Sequence, residues 1–248
     1  MTTAPVLSRS APEPPRTVTV GEHPDQVLDL WPDGEPGRPL VALVHGGFWR
    51  PRFDRVHLRP MAGALNEAGW PVASLEYRRI PGDPAATVAD VLAGLRAAHE
   101  HSGPVVAVGH SAGGHLVLHA AATEPGLVHG TVALAPVADL ALADDRDLGD
   151  GAVREYLGGP AAEHPELDPA LRPTPPGPVT IVHGDTDDRV PLAISESYLA
   201  RHPGTRLVVL PGVEHFGVVD PQSDAWAAVA AEIATFGTSP PGPLASGG

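Results

Sequence analysis

The sequence predicts an α/β fold: a mostly parallel sheet of eight strands, helices on both faces, and a small insertion over the site. Three observations lead there. Short apolar, β-branched runs alternate with Ala-rich segments of helical length. Most of those runs are apolar at every position, as strands covered on both faces require. The alternation also proceeds without an internal repeat or a dividing linker, so one layered domain is expected.

Val18 to Val20 and Val27 to Leu30 read as an opening antiparallel pair. Leu40 to Val44 is the next strand, followed by a helix over Leu58 to Ala68 and a strand at Val72 to Leu75. Ala85 to Glu100 reads as a helix whose Val88, Val91, Leu92 and Leu95 form a buried stripe, leaving Asp90, Arg96 and Glu100 largely off it. The strand Val105 to Val108 leads into the helix Ala112 to Thr123, and Val132 to Leu134 is again a strand. From Asp139 to Pro173 the rhythm breaks into an excursion with one short helix candidate, Ala152 to Leu157, and with Asp144, Asp145 and Asp147 on an expected solvated face. The pattern resumes with strands Val179 to Val182 and Leu207 to Leu210 and helices Leu192 to His202 and Ser223 to Phe236. Residues 1–16 and 237–248, rich in Pro, Ser, Ala and Gly, read as tails unable to offset the entropy of ordering them, which leaves 17–236 as the domain.

Composition narrows the chemistry. With no cysteine among 248 residues, disulfides, thiolate nucleophiles and thiolate-ligated metals are excluded, leaving hydroxyl, carboxylate and imidazole groups. The formal charge of −14 and the absence of a basic tract argue against nucleic acid as a partner. No run of about 18 apolar residues occurs and no secretion segment opens the chain, so a cytoplasmic protein without a membrane partner is expected. Nothing in the sequence speaks to oligomeric state.

Residues 105 to 118 read VVAVGHSAGGHLVL, placing Gly-x-Ser-x-Gly between a strand and a helix. Glycines there allow a turn tight enough to present the Ser111 hydroxyl at its tip, with the amides of the next helix directed at it. Ser111 is therefore the candidate nucleophile. A serine needs an imidazole base, and the base needs a carboxylate to fix its tautomer. The loop HGDTDDRVP (183 to 191) offers Asp185, Asp187 and Asp188 as the acid, and His215 in PGVEHFGVVDP (211 to 221) is the base, giving the order Ser, acid, His. After Leu40 to Val44 comes His45-Gly46-Gly47-Phe48-Trp49, where the amide of Gly47 or Phe48 is positioned to join that of Ala112 as an oxyanion hole. Phe48 and Trp49 are candidates for the substrate pocket, and His45 for bracing the loop. His115 and His119 have the i, i+4 spacing of zinc ligands but lack the glutamate of HExxH, so no metal and no cofactor are expected.

HGGFW (45 to 49), EYRR (76 to 79), GHSAGGHL (109 to 116), HGDTDDRVP and EHF (214 to 216) together resemble α/β-hydrolases of the kynurenine formamidase-like and small carboxylesterase group. The resemblance implies an eight-stranded sheet, no metal, and Ser, Asp and His roles on Ser111, Asp187 and His215, with Asp187 singled out by H-G-x-x-D-x-x-V-P. Phe48 stands where hormone-sensitive-lipase relatives have a third glycine. A serine carboxylesterase acting on a small ester is thus the leading expectation. Arylformamidase, a peptidase-like hydrolase and a non-catalytic binding protein on the same fold follow in that order. The roughly 35-residue excursion is too short for a deep lid, which predicts a site open to small soluble substrates.

Overall fold

The structure, a computed structural model, describes residues 5–237. Its strands are β1 (Arg16–Thr19), β2 (Val27–Trp31), β3 (Leu40–Val44), β4 (Val72–Leu75), β5 (Val105–His110), β6 (Gly130–Leu134), β7 (Val179–Gly184) and β8 (Arg206–Leu210). They form one eight-stranded sheet in the order β1-β2-β4-β3-β5-β6-β7-β8. The first two pairings are antiparallel and all others parallel. Every residue of β3 to β7 is buried, as their mostly apolar character requires, whereas the edge strands β1 and β8 keep exposed positions.

Helices α1 (Arg59–Glu67), α2 (Pro84–Ser102), α3 (Ala112–Thr123), α4 (Leu140–Asp145), α5 (Ala152–Leu157), α6 (Ala193–Arg201) and α7 (Trp226–Ala234) cover the sheet. The two-residue period of a strand divides the core in two. Val41 and Leu43 pack with Met61 and Leu65 of α1 and Val229 and Ile233 of α7. Leu40, Ala42 and Val44 pack with Val91 and Leu95 of α2, Leu116 and Val117 of α3, and Ile194 of α6. The sheet and helix arrangement is the one expected from the sequence. α2 starts at Pro84 behind Asp83, whose Oδ1 accepts the Ala86 amide at 3.1 Å, so a capped N-terminus with proline at N1 sets its boundary.

Two acids expected at the surface are structural. Asp90 is 3% exposed, because the Arg78 guanidinium grips both its oxygens at 2.7 Å and Gln26 Nε2 donates at 2.7 Å. In the excursion, Asp144 accepts from Arg154 Nε at 2.6 Å and from the Ala161 amide at 3.0 Å, tying α4 to the chain beyond α5. Residues 5–15, expected to belong to a tail, lie against the body: Pro5–Ser8 form a 3-10 turn with Val6 buried. Of the tail expected at 237–248, all but Gly237 lies outside the described residues. Among those described, no helix is long and apolar enough to cross a membrane.

β3 lies between β4 and β5, so the chain leaves β3 toward one side of the sheet and leaves β5 toward the other. The two loops part at a topological switch point, which opens a crevice at the carboxyl ends of both strands. Closeness of α3 to β3 is essential there, since a Cβ on Gly113 would lie 2.1 Å from the Val44 carbonyl oxygen and 2.5 Å from that of His45. Gly113→Ala is therefore expected to destabilise the fold by about 2 kcal/mol or more. Gly63→Ala, in α1 with open space around it, should stabilise by about 0.5–1 kcal/mol. Urea unfolding of the two variants measures both, and equal effects would contradict the packing argument.

Candidate active site

The site is built at the switch point, starting with the turn between β5 and α3. Ser111 has φ 56° and ψ −117°, a conformation costing a non-glycine residue about 1–3 kcal/mol. Its peptide groups hold it there: the Ser111 amide donates to Leu134 O at 2.9 Å, and its carbonyl accepts from His115 at 3.2 Å and Val137 at 3.1 Å. The Ser111 Oγ has no hydrogen-bond partner among the described residues. At the first position of α3, the Ala112 amide has no intrahelical acceptor.

Past β7, the chain places the three candidate acids in different settings. Asp185 is exposed and accepts the Gly212 amide at 2.6 Å. Asp188 is exposed and faces an open groove. Asp187 is buried, and its Oδ2 meets His215 Nδ1 at 2.6 Å while its Oδ1 accepts the amides of Arg189 at 2.9 Å and Val190 at 2.8 Å. Burial alone would raise the Asp187 pKa, but hydrogen bonds from His183 and His215, the His215 charge and the Val190 amide outweigh it and hold the carboxyl well below its usual range. His183 was not singled out from the sequence, yet it is fully buried with Nε2 3.3 Å from Asp187 Oδ2 and Nδ1 2.7 Å from Ser195 Oγ. His110, the residue before Ser111, has Nε2 3.0 Å from the carbonyl of His215 and so ties the loop carrying His215 to the serine turn.

Across the crevice, the loop after β3 carries three consecutive positive φ values, at Gly47 (113°), Phe48 (51°) and Trp49 (53°). Gly47 has no room for a side chain, as a Cβ there would lie 2.4 Å from Phe53 Cβ. The amides of Gly47 and Phe48 make no backbone hydrogen bond, which leaves both available beside that of Ala112. Under the loop sits His45, stacked on Tyr77 at 4.3 Å, with Nδ1 2.8 Å from the Gly46 carbonyl and Nε2 2.9 Å from Glu76 Oε1. Burial and the Arg79 charge push its pKa down to about 3, and the contacts of both ring nitrogens brace the loop. The EYRR run supplies the rest of the brace. Tyr77 donates to the His45 carbonyl at 2.7 Å, and Arg79 pairs with Glu76, whose other oxygen accepts the Arg55 amide at 3.0 Å.

Ser111, His215, Gly47 and Phe48 line one narrow cavity of about 40 Å³, together with Leu7, Phe53, His57, Arg189 and Phe216. A wider groove of about 510 Å³, walled by Asp147 to Asp150, Asp188 and the shared Phe48 and Arg189, adjoins it. Trp49 reaches neither space. It is 3% exposed, stacked on Tyr156 at 4.5 Å and edge-on to His115 at 5.2 Å, and so belongs to the core rather than the substrate pocket. His115 is spent on the Leu167 carbonyl at 2.9 Å, and its ring centroid lies 6.3 Å from that of His119.

This sheet order with a strained serine at the β5–α3 turn is the architecture of the α/β-hydrolase superfamily. Within it, the chain belongs to the prolyl oligopeptidase family, whose sequence pattern matches residues 83–236, more than half of the chain. No curated protein matches it significantly. Among solved structures, a candidate thioesterase of Silicibacter sp. TM1040 is 25% identical over 87% of this chain and 86% of that one, with a TM-score of 0.72. Esterase B of Lactobacillus rhamnosis is 22% identical over 92% and 88%, with a TM-score of 0.75. Esterase 2 of Thermogutta terrifontis is 23% identical over 92% and 93%, with a TM-score of 0.70.

The buried imidazoles make the fold acid-sensitive. Burial is the main cause that lowers His45, His57 and His115 to about 3, His119 to about 4, and His110 well below its usual value. The unfolded chain protonates the same rings near pH 6.5 and so binds more protons below that value. Stability therefore rises with pH across this window and is lost as pH falls from about 6.5 toward 4, by up to about 1.4 kcal/mol per ring per pH unit. The urea midpoint should fall steadily between pH 7 and pH 5, with net proton uptake on unfolding. A midpoint that is flat or higher at pH 5 would contradict this.

Proposed function

We propose that this chain is a serine hydrolase of small carboxylic esters, working through an acyl-enzyme on Ser111. The supporting observation is the 2.6 Å contact of His215 Nδ1 with buried Asp187, on a ring that shares one narrow cavity with Ser111. In the proposed cycle, Ser111 Oγ attacks the ester carbonyl while His215 Nε2 takes its proton. Asp187 holds Nδ1–H and stabilises the imidazolium. The amides of Ala112 and of Gly47 or Phe48 receive the oxyanion. His215 then protonates the departing alcohol, and water activated by the same ring releases the acid. The Ser111 to His215 hydrogen bond, not made in the free site, is expected to form on substrate binding, a tightening common between free and substrate-bound states. The fold shared with two esterases and a candidate thioesterase agrees with an ester or thioester substrate.

A second reading is favoured by the family itself. Membership in the prolyl oligopeptidase family makes amide cleavage after proline an alternative for the same residues. Phe48 in place of a third glycine keeps aryl formamides in the comparison. Turnover of p-nitrophenyl butyrate, N-formylkynurenine and a prolyl p-nitroanilide decides among them, and the ester is expected to have the highest kcat/KM.

Ser111→Ala should fold normally and lose covalent labelling by a fluorophosphonate. Stoichiometric labelling of that variant with unchanged hydrolysis would overturn the assignment. Asp187→Asn should lower kcat/KM by about 10³-fold or more, because the imidazole loses its orientation. Asp185→Asn and Asp188→Asn, which alter an exposed turn and a groove wall, should cost far less. If Asp188→Asn is the damaged variant, the acid is misassigned.

A further inference from the structure

The amino-terminal segment forms part of the cavity wall. Val6 is 1% exposed within the core on the α1 and α7 side, and Leu7 lines the narrow cavity beside Ser111 and His215. Two ion pairs fasten the segment. Arg9 Nη2 lies 2.5 Å from Asp220 Oδ2, with a second hydrogen bond to Gln222, and Glu13 Oε2 lies 2.5 Å from Arg59 Nη1. Arg9 and Asp220 are 22% and 12% exposed, so solvent screens this pair less than a fully exposed one. Asp220 follows His215 on the same loop, and the strap is therefore anchored to the loop that carries the base.

Two spaces of different size meet at Phe48 and Arg189: the narrow one of about 40 Å³ lined by Ser111, and the wider groove of about 510 Å³. In an acyl-enzyme cycle the leaving group must depart before water enters, while the acyl group stays on the serine. The wider groove suits the departing alcohol, and the narrow space suits the acyl chain. We propose that Leu7 is a specificity-determining residue that closes the acyl end of the cavity, so that the amino-terminal strap sets the longest acyl chain accepted. This rests on the serine-hydrolase reading. The narrow space holds about three water-sized groups, which matches acyl chains of about two to four carbons. Leu7→Ala removes three side-chain carbons from its wall.

The test is kcat/KM across p-nitrophenyl esters from acetate to decanoate, with fluorophosphonate labelling in parallel, for the full-length parent, Leu7→Ala, Leu7→Trp and Arg9→Ala. Leu7→Ala is expected to move the best acyl length up by about two to three carbons and raise the octanoate-to-acetate ratio at least about 10-fold. Leu7→Trp should do the reverse, sparing acetate and losing butyrate. Arg9→Ala, which frees the strap from Asp220, should shift the profile in the same direction as Leu7→Ala. If all four proteins label and their acyl profiles coincide, the strap does not bound the acyl site and the inference is wrong. A profile that shifts only when the alcohol is varied against a fixed acetyl group also overturns it. If parent and variants alike fail to label, the serine-hydrolase reading falls and takes this inference with it.

Discussion

The left-handed backbone at Ser111 is the constraint around which the site is arranged. A serine there is disfavoured by about 1–3 kcal/mol, and its neighbours must supply that energy. Leu134, His115 and Val137 hold its peptide groups, and these belong to β6, α3 and the chain leaving β6. Three separately folded elements therefore determine where one hydroxyl points.

The opposite wall is held by charge. Glu76 is 4% exposed and meets His45, Arg55 and Arg79, while Asp29, fully buried on β2, pairs with Arg55 and Arg59. Buried ion pairs add little net stability because desolvation offsets their attraction, although losing one partner is costly. Their value here is positional. Through His45 and Tyr77 the Glu76 cluster fixes the loop whose amides face Ser111, and through Arg55 it fixes the turn that brings His57 to the cavity.

The sheet, its order of elements and the neighbourhood of Ser111 were legible because apolar runs and glycine spacing are local signals. The residues that failed to read locally are those defined by distant partners. Asp90 looks like a solvated helix position until Arg78 is beside it. Trp49 follows a site glycine in sequence, yet its positive φ turns the ring toward Tyr156 and away from the cavity. His57 and His183 carry no motif strong enough to mark them, although His183 opens HGDTDDRVP four residues before Asp187. The amino-terminal segment read as a tail because its few apolar residues, Val6 and Leu7, cannot build a core alone; they complete one that the rest of the chain provides.

The proposed reaction depends on covalent chemistry at Ser111. Rapid mixing with excess p-nitrophenyl acetate, followed by acid quench and mass analysis of peptides, tests it most directly. A burst of one p-nitrophenolate per chain and one acetyl group on the peptide carrying Ser111 are expected. Turnover without a burst, and with the acetyl group on another residue, would contradict it.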